Sequence, residues 1–409
     1  MSKINEDIRG RVVKAMDEMN EIIQGRVGVI HGAWVGRIAG LHMIQKGPGG
    51  TGKSMLSRAM VEHIADAKHF ESALDETTDP SAVFGSPNIK VMAETGRTCH
   101  VTTDMLPEAT DAFLDEFFNA NIPMLHSLQP VLNERIFHDG AGTIAVPLRQ
   151  CLMGTNKLNL DPDVAPLFDR VHLRFEVNYL TSREQKMNMV SQAIARLARA
   201  DRRGTATSLD ANVTTVTVAE LDQAFKESLD LNVEDGTYAL FFDLLEELEG
   251  QGISVSDRRK TDGFNAVLAN AWLRGHETIQ AGDMDILANM FWNHEDQISE
   301  ARKVILSVTS PGDKVALDLL DALDELKKEV REAQADDEER GRRVCIEAVR
   351  NSEKLLKEAE KAREDTLAAG GSTQRLDELI NQADTFKIKV AQDVFGISQS
   401  DMQRVAAGA

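Results

Sequence analysis

Hydrophobic and polar positions divide the chain into stretches of different rhythm. Residues 1–30 read as a charged, amphipathic helix followed by a turn at Gln24-Gly25-Arg26. From 41 to 180, short apolar runs alternate with helical patterns, which predicts a parallel sheet with crossover helices. Leu41 to Gln45 is strand-like, and Met55 to Ala65 is helix-like. Ala112-Phe113-Leu114 is compact and ends in two acids, while Gln150 to Met153 runs into Gly154-Thr155-Asn156. Val171 to Val177 alternates with period two, as a half-buried strand does. Asn133 to Gly140 followed by Thr143 to Val146 predicts a hairpin with a glycine-containing turn.

Residues 183–306 change to helical spacing, with Leu240, Leu244, Leu245 and Leu248, then Val267, Leu268, Ala271 and Trp272. The expected organisation is an α/β core over 1–182 and an all-α lid over 183–306. A linker at 307–313 carries Ser310-Pro311-Gly312, and a helical extension covers 314–409. In the extension, Leu319, Leu323, Leu326, Val330 and Ala333 form a heptad seam. The pattern breaks across Asp336 to Arg343 and resumes at Cys345, Val349, Ser352, Leu356 and Ala359. Gly370-Gly371 separates a third segment with Leu376, Leu379, Ala383, Phe386 and Val390. Three amphipathic helices follow, either folded on one another or extended to pair with another chain.

Composition narrows the class. The 409 residues are 42 % hydrophobic and 27 % charged, which excludes wholesale disorder. A net charge of −20 repels phosphate backbones, which counts against nucleic-acid binding through a general basic field and leaves only a local basic loop for that role. No apolar run is long enough to span a membrane. Cys99, Cys151 and Cys345 are widely spaced and odd in number, the usage expected of a cytoplasmic protein. No paired-cysteine or His-Glu-x-x-His spacing points to zinc.

The strongest chemical signal is Gly47-Pro48-Gly49-Gly50-Thr51-Gly52-Lys53-Ser54, which fits G-x-x-x-x-G-K-[ST] between a strand and a helix. Glycines let backbone N–H groups wrap phosphate oxygens at a helix N-terminus. Lys53 is then expected to neutralise the β- and γ-phosphates of a bound nucleotide, and Ser54 to bind Mg²⁺. Asp115 and Glu116 follow an apolar strand, where α/β sheets bind ligands. There Asp115 serves the Mg²⁺ shell and Glu116 polarises the attacking water. Asn156, taken alone, reads first as a turn residue; at a strand end its amide also suits holding that water. Arg170 suits a phosphate clamp, although a surface ion pair with Asp169 is its simpler role.

Together these residues resemble the AAA+ ATPases, and within them the MoxR family, nearest its RavA branch. Thr77-Thr78-Asp79-Pro80 with Val83-Phe84-Gly85 is similar to the insert interrupting that family's second helix. Gly96-Arg97 and Leu106-Pro107-Glu108-Ala109 lead into Phe113-Leu114-Asp115-Glu116 as in that branch. Leu132-Asn133-Glu134-Arg135 and the hairpin resemble the insert before sensor 1, and Leu167-Phe168-Asp169-Arg170 occupies the arginine-finger position. Ser256-Asp257-Arg258-Arg259 resembles the sensor 2 segment.

The resemblance implies a P-loop fold with an all-α lid and a homo-oligomeric, hexameric ring with ATP between subunits. It implies Asn156 as sensor 1 and Arg170 acting on the neighbouring subunit. It also implies an arginine of the subunit's own lid as sensor 2, for which Arg258 and Arg259 compete and the spacing after Ser256 favours Arg258. Ile23 and Gly25, with the turn around them, are implied to line the adenine pocket; a buried N-terminal helix explains Ile23 equally well. The expected function is an ATP-driven remodeller of a protein client, working with a von Willebrand factor A domain partner. A DNA-directed motor conflicts with the charge, and a slow nucleotide-gated scaffold is the third reading.

Overall fold

The computed structural model describes residues 4–140, 142–158, 164–199, 213–309, 311–336, 338–368 and 373–395. The chain forms two compact units, Met1–Ile298 and Ser299–Ala409. The first is built on a parallel five-stranded sheet of β1 (Met43–Lys46), β2 (His69–Ala73), β3 (Asp111–Asp115), β6 (Gln150–Thr155) and β7 (Leu173–Glu176), in the order β2-β3-β6-β1-β7. β1 pairs with β6 from Met43↔Leu152 to Lys46↔Thr155, and with β7 from Met43↔Leu173 to Lys46↔Glu176. β6 is buried along its whole length and β3 along most of it, as parallel strands covered on both faces are. A separate antiparallel hairpin, β4 (Ile136–Asp139) with β5 (Gly142–Ala145), matches the expected turn.

The helices around the sheet follow from their apolar faces. α1 (Glu6–Ile22) starts on the Asn5 cap and buries Ile8, Val12, Ala15 and Met19. α2 (Val27–Ala39) is buried on nearly every side, from Val29 and Ile30 through Gly32–Ala39. Its glycines let it lie close on the sheet: a Cβ at Gly32 would sit 2.2 Å from the Phe175 ring. α3 (Lys53–Glu62) leaves the P-loop, and α4 (Ser81–Phe84) and α5 (Ile89–Thr95) belong to the first insert. α6 (Ile122–Asn133) leads into the hairpin, and the short α7 (Ala165–Phe168) precedes β7.

The two inserts are joined. Gly140 N donates to Thr98 O at 3.0 Å, His100 Nδ1 lies 2.7 Å from Asp139 Oδ1, and Phe84 stacks on Phe137. At the hairpin's base Arg135 adopts φ +56° and donates to Gly40 O and Leu132 O beside the buried His42.

The lid elements are α8 (Arg183–Arg199), α9 (Val218–Leu229), α10 (Asp235–Gly250) and α11 (Asp257–Arg274), with 3-10 segments Ala281–Asn289 and Glu295–Gln297. They belong to the same compact unit as the sheet. Arg11 on α1 bridges to Glu220 on α9 at 2.5 Å, and Asn265 on α11 donates to Ala39 O at 3.0 Å. The strand expected from the period-two pattern at Val171–Val177 forms as β7, with Val171, Leu173, Phe175 and Val177 buried, but Arg174 departs from the alternation and is buried as well. Its guanidinium lies 3.9 Å from the Phe168 ring centre and donates to the carbonyls of Val171, Phe168 and Trp292.

Of the linker expected over 307–313, Ser307–Thr309 finish α12 (Ile298–Thr309) and Pro311 opens α13 (Pro311–Asp336). Ser310 and Gly370-Gly371 lie outside the described residues. α13, α14 (Glu338–Ala368) and α15 (Gln374–Phe395) fold on one another. Leu319, Leu323, Leu356, Ala359, Leu379 and Ala383 share one buried cluster, and Val330, Cys345, Ala348 and Val390 share another.

Candidate active site

The parallel register brings three chain segments to one edge of the sheet. β1 ends at Lys46, and Gly47 N donates to Thr155 O at 2.9 Å, so the P-loop begins beside the end of β6. Gly50 and Gly52 take φ +76° and +90°, and a Cβ at Gly49 or Gly50 would meet nothing within 4 Å, so the loop's outer side is open. Gly47 is constrained differently, since its Cβ would lie 2.0 Å from Val177 O. Thr51 Oγ1 donates to Pro48 O at 2.9 Å, which tightens the loop.

Lys53 is 6 % exposed and points back under the loop. Its Nζ donates to Gly47 O at 2.7 Å and Pro48 O at 3.1 Å, and lies 3.5 Å from Asn156 Oδ1. Asn156 Nδ2 in turn donates to Glu116 Oε1 at 2.7 Å, and Asn119 Nδ2 donates to the other oxygen at 3.0 Å. Lys53, Asn156 and Glu116 thus form one chain of contacts across three strand ends.

Glu116 holds φ +51°, a left-handed conformation costing about 1–2 kcal/mol in a non-glycine residue. Its amide is held by Asp115 Oδ1 at 3.0 Å. Gly154 completes the arrangement: a Cβ there would fall 2.2 Å from Asp115 Oδ1, so only glycine leaves that carboxylate its place.

Ser54, directly after Lys53 on α3, and Asp115, at the end of β3, are the candidate magnesium ligands. Among the described residues no group of three or more His, Cys, Asp or Glu could hold a metal alone. That donor set fits Mg²⁺, which takes one or two protein oxygens together with phosphates and water.

The turn before α2 packs beside the chain leaving β7. A Cβ at Gly25 would meet Leu180 at 2.6 Å, Arg26 donates to Asn178 O, and Ile23 is buried. Tyr179 lies between this turn and the P-loop. It is 63 % exposed and donates from Oη to Gly49 O at 3.1 Å. Sequence reading passed over Tyr179 and Asn119. The only available signals are the scarcity of tyrosine, two in the chain, and the helical spacing of Asn119 from Glu116.

The two arginine candidates lie elsewhere. Arg170 precedes β7, whose register with β1 puts this segment at the opposite edge of the sheet from the P-loop. Arg170 Nη1 donates to Pro166 O at 3.0 Å, and its Nε is buried with no partner among the described residues. The simple ion pair with Asp169 does not form, because Asp169 accepts from Ser256 Oγ, the cap of α11. Arg258 is exposed on that first turn of α11, beside the Arg170 segment. Arg259 is buried and donates to the Asn293 side chain at 2.5 Å and Trp292 O at 3.0 Å.

The family model for the MoxR domain of MoxR–vWA–beta-propeller ternary systems matches residues 10–220, and that for an AAA lid domain matches 237–305. The chain belongs to the MoxR family of AAA+ ATPases. ATP hydrolysis follows from that membership. Two uncharacterised proteins of Methanocaldococcus jannaschii, MJ0079 and MJ0812, are 27 % and 26 % identical to this MoxR-family chain. The alignments cover 93 % and 91 % of it and 97 % of each relative. Structural protein ORF618 of Acidianus two-tailed virus is 26 % identical over 41 % of this chain and 28 % of its own length. A candidate ATPase from Cytophaga hutchinsonii shares the fold, with a TM-score of 0.59 at 15 % identity over 74 % of this chain and 94 % of that one. Among the described residues, no helix is long and apolar enough to cross a membrane.

Proposed function

We propose that this MoxR-family ATPase assembles into a ring, hexameric as the resemblance implies, and uses ATP to remodel or activate a protein partner. The carrying observation is the contact chain Lys53–Asn156–Glu116 beneath an open glycine loop. In this reading Lys53 exchanges its loop carbonyls for β- and γ-phosphate oxygens. Ser54 and Asp115 hold Mg²⁺, which when bound draws negative charge from the phosphates. Glu116 polarises the attacking water, and Asn156 fixes one Glu116 oxygen so that the other faces that water. Ile23, Gly25 and the turn around them flank the adenine.

Arg170 lies before β7, at the end of the strands away from its own P-loop, which supports its acting on an adjoining subunit. Arg258, exposed at the start of α11, is read as the sensor 2 that a subunit's own lid supplies. A trans arginine contributes about 10³–10⁵ in rate in related phosphoryl transfer. The family description names a vWA protein and a beta-propeller as companions, and we infer a partner bearing a vWA domain. The RavA-like placement rests on Gly96-Arg97 and Leu106–Ala109 leading into the acidic strand end.

The test is sedimentation and ATPase assay with Mg-ATP, repeated with a vWA-domain partner and with DNA. Nucleotide-dependent assembly and stimulation by the protein alone are expected. A lone protomer at saturating nucleotide refutes the ring, and stimulation by DNA alone refutes the remodeller.

A further inference from the structure

The finger segment is wired to the lid of its own subunit. Asp169, adjacent to Arg170, accepts from Ser256 Oγ through both carboxylate oxygens, at 3.1 and 3.0 Å. It also faces Arg259, whose Nη1 lies 3.9 Å from Oδ1. Burial pushes the Arg259 guanidinium down to about 10, and Asp169 opposes that shift. Arg259 is held in turn by Asn293 and by the carbonyls of Met290 and Trp292. Two residues beyond Asn293, Glu295 pairs with Lys46, the residue immediately before the P-loop. Lys46 also pairs with Glu176 at 3.5 Å. Named contacts therefore run from the root of the phosphate loop, through the lid segment, to the residue beside the finger.

We propose that Asp169 is a positioning residue that ties Arg170 to its own subunit's lid through Ser256 and Arg259, so that the state of one P-loop sets the reach of that subunit's arginine into the next. The inference rests on the trans reading of Arg170. It explains why the carboxylate next to the finger is diverted from it: an Asp169–Arg170 pair would have to break before the arginine met a phosphate. With the carboxylate turned to the lid, the guanidinium is held by one backbone carbonyl, and the chain carrying it is fixed.

The experiment uses full-length chains in co-expressed mixed rings. Asp169→Ala is expected to keep its nucleotide affinity and lose about 10²-fold in turnover, the scale of a misplacement near 1 Å. Mixed with Glu116→Gln subunits, whose fingers are intact and whose own sites are silent, it regains turnover. Arg170→Ala mixed in the same way is the reference. Ser256→Ala, which removes the hydrogen bonds and keeps the charge, shows a smaller loss with the same rescue, and decides the matter if Asp169→Ala folds poorly. Full turnover in both the Asp169 and Ser256 variants, or rescue of Arg170→Ala alone, overturns the tie while the trans arginine stands. Rescue of neither overturns both.

Discussion

Gly154→Ala separates the magnesium arrangement from the fold. The added Cβ would lie 2.2 Å from Asp115 Oδ1 and 3.3 Å from the Phe113 ring. The ring contact is tolerable, whereas the carboxylate has to move by about 1 Å to reach ordinary van der Waals distance. That movement strains or breaks the 3.0 Å bond from Glu116 N, which holds Glu116, the proposed water-polarising residue, in its left-handed turn. A hydrogen bond to a charged group is worth about 1.5–3 kcal/mol, or roughly 10- to 150-fold in rate. The expected result is a fall of that size in kcat and a raised magnesium requirement. Metal-free nucleotide binding through Lys53 should stay near wild type, and the melting temperature should fall little, because the atom that yields is the tip of a side chain. Steady-state ATPase across a magnesium titration, beside fluorescent-nucleotide binding in EDTA, reads both arms. Unchanged kcat and magnesium dependence would refute the reasoning.

Lys53→Ala should abolish nucleotide binding, whereas Glu116→Gln should bind normally and turn over at least about 10²-fold more slowly; equilibrium binding and ATPase assays separate them. Arg37→Met leaves Asp111 buried without its 2.6 Å partner and should cost about 3–5 kcal/mol by urea unfolding, with much of the loss recovered in the double variant with Asp111→Leu. Leu323→Ala removes a fully buried side chain from the helical extension and should destabilise that unit by about 2–5 kcal/mol. Burial, the largest influence on each, holds His31, His42 and His63 below the ordinary imidazole value of 6.5. The unfolded chain therefore binds more protons below that pH, so stability is complete above it and declines as the solution is acidified. Thermal midpoints at pH 7.5 and 5.5 check the sign.

What was legible in the sequence follows from which patterns are local. The P-loop, the acidic strand end and the hairpin announce themselves because glycine spacing and turn chemistry act over a few residues. The heptad seams of the extension were equally plain, and the folded bundle chooses between the two arrangements they allowed. α2 was missed because a helix buried on nearly every side has no polar face to set its period. Arg174 misled for a related reason: an arginine in an alternating run looks solvent-facing until Phe168 and the Trp292 carbonyl are brought to it from elsewhere. The diversion of Asp169 to Ser256 spans 87 positions and leaves no local trace.

Bonding of the two inserts to each other has a mechanical result. The first insert lies between β2 and β3, and the hairpin lies between α6 and β6, so each is continuous with a strand leading to a polar residue of the candidate nucleotide site. Because Gly140, Asp139 and Phe137 clasp Thr98, His100 and Phe84, a pull applied at either loop is shared between the strand leading to Asp115 and the strand leading to Asn156. A tug from outside thus arrives at both strand ends at once, as a single lever with two arms.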